Sequence, residues 1–243
     1  MSTCFFTVYD ERAKDMATGM INSVKHWYPN IPMEAIEIDV READGGFDLQ
    51  GYCRDILTNG LKLLDEYDKI IYIDPDSVMC NACPDFFEEY DLGCVQNNTV
   101  CGPEYGGTKD EDYVNAGLVV CSSKKVWQRI LEDYEKRNNK EWSTLNHQNA
   151  LNLIYHSISN SKLLEFSDRS YGISSLAHYQ DIELRQRGDI MLSEPQYELW
   201  LPSNKKLCVF HAAGVYWKTG NKVNYDYIKN EDARNLLISY THA

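Results

Sequence analysis

One short segment, an apolar run that ends in two carboxylates, limits most strongly what this chain can fold into. Residues 69–73 read Lys-Ile-Ile-Tyr-Ile, and Asp74, Pro75 and Asp76 follow directly. A β-branched run bounded by charge and proline is typical of a parallel strand that is covered on both faces. Open α/β sheets bind their ligands at the carboxyl ends of such strands. Two aspartates there favour Mg²⁺ or Mn²⁺, although an acidic turn without any metal has the same composition.

The composition argues against several classes of partner. The chain has 243 residues, of which 43% are hydrophobic and 25% charged, enough for one large α/β domain or at most two small ones. No shift in composition marks a boundary, so we expect a single domain over residues 1–243. The net charge of −13 disfavours binding to nucleic acid or to an anionic membrane surface. An anionic ligand would need a local cation or a few well-placed basic side chains.

The sequence carries no signal for export, membrane insertion or structural zinc. No apolar run has the length of a transmembrane helix, and residues 1–8 lack the basic region and apolar core of a signal peptide. We therefore expect a cytoplasmic protein without a membrane span, in which the eight cysteines are reduced thiols. Cys80 and Cys83 form a CxxC pair, but no second His or Cys pair at zinc spacing accompanies it.

Apolar periodicity predicts that strands and helices alternate along the chain. Strands are expected at residues 3–9, 33–39, 69–73, 91–95, 114–121 and 206–211, and helices at residues 15–27, 51–67, 124–136 and 146–156. Such alternation predicts a mostly parallel sheet with helices on both faces.

A histidine closes the last predicted strand, residues 206–211, and we expect it at the same sheet edge as the two aspartates. His211 there suits a third ligand of a divalent cation, although a capping or core role is commoner for a single histidine. Gly214 permits close approach of the backbone to a phosphate, and Lys218 follows within reach of it. The alternative for Lys218 is a solvated surface lysine.

Two further segments carry small or amide side chains. Asn115, Ala116 and Gly117 open a buried strand, where Asn115 can donate to and accept from sugar hydroxyls and its small neighbours leave room for a ligand. A bulge or a tight strand entry is the alternative. His147 and Gln148 lie in the first turn of a predicted helix, where polar side chains either cap the helix or point into a site.

These segments, in this order, resemble the motifs of the family 8 glycosyltransferases, a retaining group with the GT-A fold. Asp74-Pro75-Asp76 resembles the family's DxD motif at the end of an apolar strand. Residues 114–120 resemble its FNAGV strand, residues 147–152 its DQDxLN helix, and residues 211–214 its HxxG turn. A lone DxD is a weak signal, whereas the ordered set is specific and spans most of the chain.

The resemblance implies a single-domain, Rossmann-like GT-A fold of the α/β class. Its nucleotide-binding part would span about residues 1–100, and its donor-sugar and acceptor part about residues 101–243. The implied reaction is the metal-dependent transfer of a hexose or pentose from a UDP-sugar, with retention of configuration. The implied acceptor is a hydroxyl of a glycan, a protein or a small molecule.

The resemblance also assigns roles to individual residues. Asp74, Asp76 and His211 would bind Mn²⁺ or Mg²⁺. Contacts to the nucleotide or the sugar are implied for Thr7, Val8, Tyr9, Arg54, Asp74, Ala116, Gly117, His147, Gly214 and Lys218. Gln148 and Asn115 would act at the anomeric centre. Because an amide is a poor nucleophile, we expect same-face attack in which Gln148 supports the oxocarbenium-like state.

The chain departs from the family pattern in two places, and these departures keep alternatives open. His147 and Asn149 stand where the family has aspartates, and the family's lysine position is Trp217, with Lys218 one residue later. One alternative is an inert binding module that keeps the fold. Another is a different metal-dependent nucleotide-using enzyme, such as a nucleotidyltransferase. The turn at residues 8–12 contains no glycine, which counts against the phosphate loop of a nucleotidyltransferase.

Overall fold

The fold was analysed in a computed structural model. It describes residues 1–40, 42–43, 46–96, 113–138, 146–164, 181–186, 197–201, 206–211, 218–219 and 222–242. The helices are α1 (Lys14–Trp27), α2 (Leu49–Leu63), α3 (Lys124–Asn138), α4 (Asn146–Tyr155) and α5 (Glu231–Thr241). The strands are β1 (Thr3–Tyr9), β2 (Met33–Glu37), β3 (Glu42–Ala43), β4 (Gly46–Phe47), β5 (Lys69–Ile73), β6 (Ser77–Met79), β7 (Leu92–Gln96), β8 (Val114–Cys121), β9 (Ser161–Leu164), β10 (Glu183–Gln186), β11 (Tyr197–Trp200), β12 (Val209–His211), β13 (Lys218–Thr219) and β14 (Lys222–Val223).

In the part of the chain that the structure describes, the central sheet has six strands in the order β2-β1-β5-β8-β7-β9. The pairs β1–β2, β1–β5 and β7–β9 are parallel, whereas β8 runs antiparallel to both of its neighbours. Because β8 is reversed, its first residues lie beside the last residues of β5. The topology therefore brings the start of one predicted motif to the end of another.

Apolar layers cover both faces of this sheet, because successive strand residues point to opposite sides. On one face Phe6, Tyr72 and Trp127 are buried in a cluster that includes side chains of α2, α3 and α4. On the other face Phe5 and Met20 are buried in a cluster that includes side chains of α1. The predicted α/β class, with a mostly parallel sheet between helices, is confirmed.

Beside this sheet, β6 and β12 form a two-stranded antiparallel ribbon in which Ser77 lies opposite His211. The expectation that His211 ends a strand of the central sheet is therefore wrong. The ribbon is covered by α5, since Val78, Phe210 and Leu237 share one buried cluster. The chain returns from the end of β5 into β6 directly, so the ribbon carries His211 back to the two aspartates.

Most of the predicted elements match the structure, but the last helix, α5, was not predicted. The side chain of Asn230 caps α5 by accepting from the amide of Ala233 at 3.0 Å, and Glu231 and Asp232 lie in its first turn. These are ordinary signals of a helix start. Residues 42–50, between the second predicted strand and the second predicted helix, contain the short β3–β4 pair and the start of α2.

In the parts of the chain that the structure describes, no helix is both long enough and apolar enough to cross a membrane.

The contact between α2 and α3 depends on a glycine, and substitution of that glycine should destabilise the fold. A Cβ atom at Gly60 would lie 2.5 Å from Cζ2 and 2.6 Å from Cε2 of Trp127. The indole is held in place, because it is 2% exposed and its Nε1 donates to the carbonyl oxygen of Leu57 at 2.7 Å. We expect Gly60→Ala to lower the free energy of unfolding by about 1–3 kcal/mol through overpacking.

Urea denaturation would measure this change. The control is Lys62→Ala, an exposed position of the same helix, which should shift the free energy of unfolding by less than about 0.5 kcal/mol. A glycine-to-alanine change in a helix normally stabilises by about 1 kcal/mol. A Gly60→Ala variant that is more stable than the wild type would contradict the packing described here.

Candidate metal and donor site

Three side chains from the predicted motifs meet at the carboxyl end of β5. His211 Nε2 lies 3.0 Å from Asp76 Oδ1 and 3.4 Å from Asp74 Oδ2. One ligand atom from each residue lies within 4.8 Å of the other two, which allows all three to contact one ion. No other group of three potential metal ligands at this spacing occurs among the described residues.

The chemistry of this Asp-Asp-His cluster fits a divalent cation. Asp76 and His211 are each 8% exposed, so the cluster is largely removed from water. Two carboxylates at this separation repel each other, and a cation between them would offset the repulsion. Carboxylate oxygens with one imidazole nitrogen suit Mn²⁺ or Mg²⁺ better than a thiophilic metal.

A buried tyrosine orients one of the carboxylates. The hydroxyl of Tyr72 donates to Asp74 Oδ1 at 2.6 Å, from two residues earlier on the same face of β5. Burial, with the charge of Asp74, raises the pKa of Tyr72 well above its ordinary value, so the hydroxyl stays protonated and remains a donor. The hydroxyl of Tyr52 on α2 lies within hydrogen-bonding reach of Tyr72 and donates to the Val8 carbonyl oxygen at 2.7 Å. With Oδ1 engaged, Asp74 presents Oδ2 to the cluster.

Gly117 of β8 lies directly against the cluster. A Cβ atom there would lie 2.5 Å from Asp74 Oδ2 and 2.9 Å from His211 Nδ1, and it would overlap His211 Cε1. The carbonyl oxygen of Gly117 accepts the amide of Asp74 at 2.8 Å. A residue with a side chain could not occupy this position without displacing a carboxylate or the imidazole. Glycine is therefore required because the backbone of β8 lies directly against two side chains of the cluster.

The start of β8 is irregular, and two amide side chains satisfy its polar groups. The register between β7 and β8 shifts after Cys94, so that Val95 pairs with Asn115. Gln148 Oε1 accepts from the amide of Ala116 at 3.1 Å and from Asn115 Nδ2 at 3.0 Å. Asn115 Oδ1 in turn accepts from the amide of Gly117 at 2.5 Å. The irregularity was one alternative predicted for this segment. The irregular segment also lies close to the Asp-Asp-His cluster.

A second amide ties α4 to the same strand. Asn152 Oδ1 accepts from the amide of Val114 at 2.7 Å, and Asn152 Nδ2 donates to the carbonyl oxygens of Val114 at 2.7 Å and Gln148 at 2.8 Å. Because Asn152 lies one turn after Gln148, both project from the same side of α4. The pair holds the helix against the first residues of β8.

His147 points toward α2, in the layer between the helices and the sheet. Its Nδ1 lies 3.0 Å from the thiol sulfur of Cys53. Desolvation by burial lowers the pKa of His147 from 6.5 to about 4, so the ring is neutral at physiological pH. No contact in the described structure joins this ring to Asp74, Asp76 or His211. A direct role of His147 in binding the donor sugar stays a prediction, and its described partner is the thiol.

The three predicted site residues of β1 lie in different environments. Val8 is completely buried in the core, so only its backbone could face a ligand. Thr7 is also completely buried, and its hydroxyl has no hydrogen-bond partner among the described residues. Tyr9 is partly exposed at the end of the strand, where burial and the charge of Glu37 raise the pKa of its hydroxyl.

The basic side chains predicted to face the donor are not brought to the aspartates by any described contact. Arg54 is exposed on α2, and its positive charge favours the ionised form of Tyr134 on α3, which opposes the effect of burial on the pKa of that tyrosine. Gly214 lies outside the described residues. Lys218 is the first residue of β13, and the position of its side chain is likewise outside the description. Their contacts with phosphate remain predictions.

Sequence reasoning missed the residues that support the cluster. Tyr72 was assigned only to a strand, Tyr52 was not considered, and Asn152 was noted only as part of a motif. The one signal available was alternation along β5, which places Tyr72 and Asp74 on the same face. The partners of Tyr52 and Asn152 are distant in sequence, so no local pattern could have identified them.

The fold is similar to those of solved glycosyltransferases. A structure of LgtC, an active-site mutant with Gln replaced by Glu, is 13% identical, covers 97% of this chain and 95% of its own, and has a TM-score of 0.53. The apo structure of WbbM, a bifunctional glycosyltransferase, is 13% identical, covers 100% of this chain and 52% of its own, and has a TM-score of 0.56. No family profile and no curated protein matches the sequence.

At 13% identity this similarity shows the fold alone. The chain has the GT-A glycosyltransferase fold, so the resemblance predicted from its motifs is confirmed at that level. The chain spans nearly the whole of LgtC but about half of WbbM. Membership of family 8 itself stays a prediction from the motifs.

The contact of Gly117 with the cluster yields the first prediction for this site. In Gly117→Ala the new methyl group would overlap His211 and crowd Asp74. We expect the dissociation constant for Mn²⁺, measured by isothermal titration calorimetry, to rise about 10- to 100-fold, as for other changes next to metal ligands. Gly19→Ala on α1 is the control, because its Cβ would meet only the side chain and backbone of Thr241. Unchanged Mn²⁺ affinity in a folded Gly117→Ala variant would contradict this geometry.

The lowered pKa of His147 yields the second prediction for this site. The unfolded chain binds a proton at this residue below pH 6.5, whereas the folded chain binds it only below about pH 4. The contribution of His147 to the free energy of unfolding is therefore complete above pH 6.5, and it is lost as the pH falls toward 4. The groups beside the ring, Cys53 and Tyr72, are both neutral in this range because their pKa values are raised.

His147→Leu removes this titration. Urea midpoints of both proteins at pH 7 and pH 4.5 should therefore show a larger loss for the wild type than for the variant. Parallel losses would mean that the ring is not buried in its neutral form.

Proposed function

We propose that this chain is a metal-dependent glycosyltransferase that moves a sugar from a nucleoside diphosphate to an acceptor hydroxyl. The observation that carries the proposal is the Asp-Asp-His cluster at the carboxyl end of β5, in a chain with a GT-A fold. Neither part suffices alone, because acidic groups occur without metals and folds host many functions. Together they support the proposal, because the cluster lies at the edge where such a fold binds its ligand.

The cluster is suited to the hardest step of such a reaction. When the bond between the anomeric carbon and the diphosphate breaks, negative charge builds up on the leaving group. A divalent cation held by Asp74, Asp76 and His211 would supply the positive charge that stabilises it. This local charge would also allow a protein with a net charge of −13 to bind an anionic donor.

Tyr72 and Gly117 would hold the three metal-binding side chains in their orientation. Tyr72 engages one oxygen of Asp74 and leaves the other directed at His211. Gly117 allows β8 to close over the cluster without displacing either group. Both roles concern orientation, because a cation site depends on ligands that are held before the ion arrives.

Gln148 would act as a hydrogen-bond donor. Both lone pairs of its Oε1 are used by Asn115 Nδ2 and the amide of Ala116, and a backbone amide can only donate. This orientation leaves Nε2 to face a substrate oxygen, since no described residue accepts from it. Support of the oxocarbenium-like state by Gln148, beside same-face attack, stays a prediction. We propose in addition that Gln148 Nε2 donates to a hydroxyl of the donor sugar.

A UDP-sugar is the proposed donor, with a hexose or pentose as the transferred group and retention of configuration. These finer features rest on the resemblance of the motifs to family 8. The buried hydroxyl of Thr7 has no hydrogen-bond partner among the described residues, and its contact with the nucleotide stays a prediction from the motifs. Tyr9 and Arg54 are proposed to contact the donor from the rim of the site. The proposed acceptor is a hydroxyl of a glycan, a protein or a small molecule.

An inert binding module with the same fold is the second candidate. It is favoured by one observation, that His147 stands where the family has an acid and contacts Cys53 instead. Hydrolysis of a panel of UDP-sugars in the presence of Mn²⁺ separates the two candidates. Turnover of any member supports the enzyme, and binding without turnover across the panel supports the module.

Thermal denaturation tests the proposed nucleotide. We expect UDP with Mn²⁺, at about 100 times its dissociation constant, to stabilise the protein by about 2.7 kcal/mol, because it binds only the folded state. GDP with Mn²⁺ at the same concentration should stabilise it less. Asp76→Asn should lose most of the UDP effect while keeping the melting temperature of the free protein, because it removes a charge without changing the volume of the side chain.

Each failure in this experiment has a distinct meaning. Equal stabilisation by UDP and GDP would remove the preference for uridine and leave the metal site intact. Full stabilisation of Asp76→Asn by UDP with Mn²⁺ would show that the nucleotide does not depend on the cluster.

A further inference from the structure

We propose that the contact between Cys53 and His147 positions Gln148, so that both residues act on the reaction without touching the substrate. This inference rests on the proposed function for its catalytic meaning. Its structural content, that the contact holds the Gln148 amide in one orientation, can be tested without any turnover.

The contact is built from two helices. Cys53 lies on α2 and is 2% exposed, and its sulfur is 3.0 Å from Nδ1 of His147 on α4. The two residues are 94 positions apart in sequence, so the contact is a tertiary one. A small cavity of about 20 Å³ beside the imidazole is lined mostly by apolar side chains, including Trp127 and Leu151, with Tyr72. The ring is therefore inserted into the layer between the helices and the sheet.

Both partners are neutral, which makes the contact a hydrogen bond and not an ion pair. Burial raises the pKa of the Cys53 thiol, and burial lowers the pKa of His147 to about 4. A neutral hydrogen bond in apolar surroundings competes with little water, so it keeps its directionality. The contact therefore restrains the ring, whichever of the two atoms carries the proton.

Gln148 follows His147 directly and lies between two anchors. On one side His147 is bound to α2, and one turn later Asn152 is bound to Val114 of β8. Asn152 restrains the second turn of α4, whereas His147 restrains the first, where helices fray most readily. Asn149 Oδ1 in the first turn also accepts from the hydroxyl of Tyr113, beside the start of β8, at 2.6 Å. Without the His147 contact the first turn would be held from the β8 side alone, and the Gln148 amide could shift.

The restraint continues to the cluster through consecutive contacts. Gln148 Oε1 accepts the amide of Ala116, and Ala116 precedes Gly117, which lies against Asp74 and His211. A displacement of Gln148 would free the Ala116 amide and redirect the Nε2 donors that face the substrate. Displacements of about 1 Å can cost about 100-fold in rate, so a smaller shift is expected to cost about tenfold.

The test compares variants that remove the contact with variants that keep it. His147→Leu and Cys53→Ala leave apolar groups and no hydrogen bond. His147→Asn keeps a polar atom near the position of Nδ1, and Cys53→Ser keeps a donor and acceptor. Leu153→Ala is the matched control, because Leu153 lies on the exposed side of α4 and is 49% exposed.

The kinetic readout is hydrolysis of UDP-glucose and UDP-galactose with Mn²⁺. His147→Leu and Cys53→Ala should each lower kcat about tenfold and leave KM within about twofold, because the nucleotide and the metal are held elsewhere. The double variant should be no worse than the poorer single variant, since both remove one contact. His147→Asn should recover most of kcat, and Leu153→Ala should match the wild type.

The structural readout is NMR. In His147→Leu and Cys53→Ala the side-chain amide signals of Gln148 should move, and hydrogen exchange at the Ala116 amide should become at least about tenfold faster. Exchange at Ile71, in the centre of the sheet, should not change. If kcat, the Gln148 signals and Ala116 exchange all match the wild type, the contact is packing only and the inference is overturned.

The two proposals fail in different ways. If the wild type hydrolyses neither UDP-sugar, the proposed function is contradicted for these donors, and the NMR readout alone decides whether the contact positions Gln148. If the wild type is active but kcat falls equally in His147→Leu and His147→Asn, the loss reflects the imidazole itself. That result would overturn the positioning role and favour direct contact of His147 with the donor.

Discussion

The close approach of Gly117 to Asp74 and His211 is the constraint on which the rest of the site depends. Three separate parts of the chain meet there: the end of β5, the reversed start of β8 and the end of the β6–β12 ribbon. The absence of a side chain at Gly117 is what permits this meeting. If the strand were displaced, the carboxylates would lose their orientation, and the amides of Ala116 and Gly117 would lose their partners.

Around this point several polar groups are held by hydrogen bonds, and these bonds restrain the site. Tyr72 holds one oxygen of Asp74, and Gln148 and Asn115 satisfy the irregular start of β8. Groups fixed in this way need little reorganisation when charge develops nearby, which is how preorganised sites lower a barrier. Asp74 and Asp76 bring two negative charges to this point, and a divalent cation is the group that we propose to offset them.

The sequence predicted the parts of this arrangement that depend on local patterns, and not those that depend on distant partners. The buried runs of β1, β5 and β8 were located to the residue, because short, continuous apolar segments between polar residues have few alternatives. The pairing of β12 with β6, instead of the central sheet, could not be read from either strand alone. The same holds for the orientation of Gln148, which is set by the β8 irregularity, and for His147, whose partner is a thiol on another helix.

Anomalous diffraction from crystals grown with Mn²⁺ and UDP tests the central claim most directly. The account predicts one manganese peak bonded to Asp74, Asp76 and His211 at about 2.0–2.6 Å, with oxygens of the diphosphate completing the coordination. Manganese bound at another place, or bound only through phosphate while His211 is turned away from both aspartates, would contradict it.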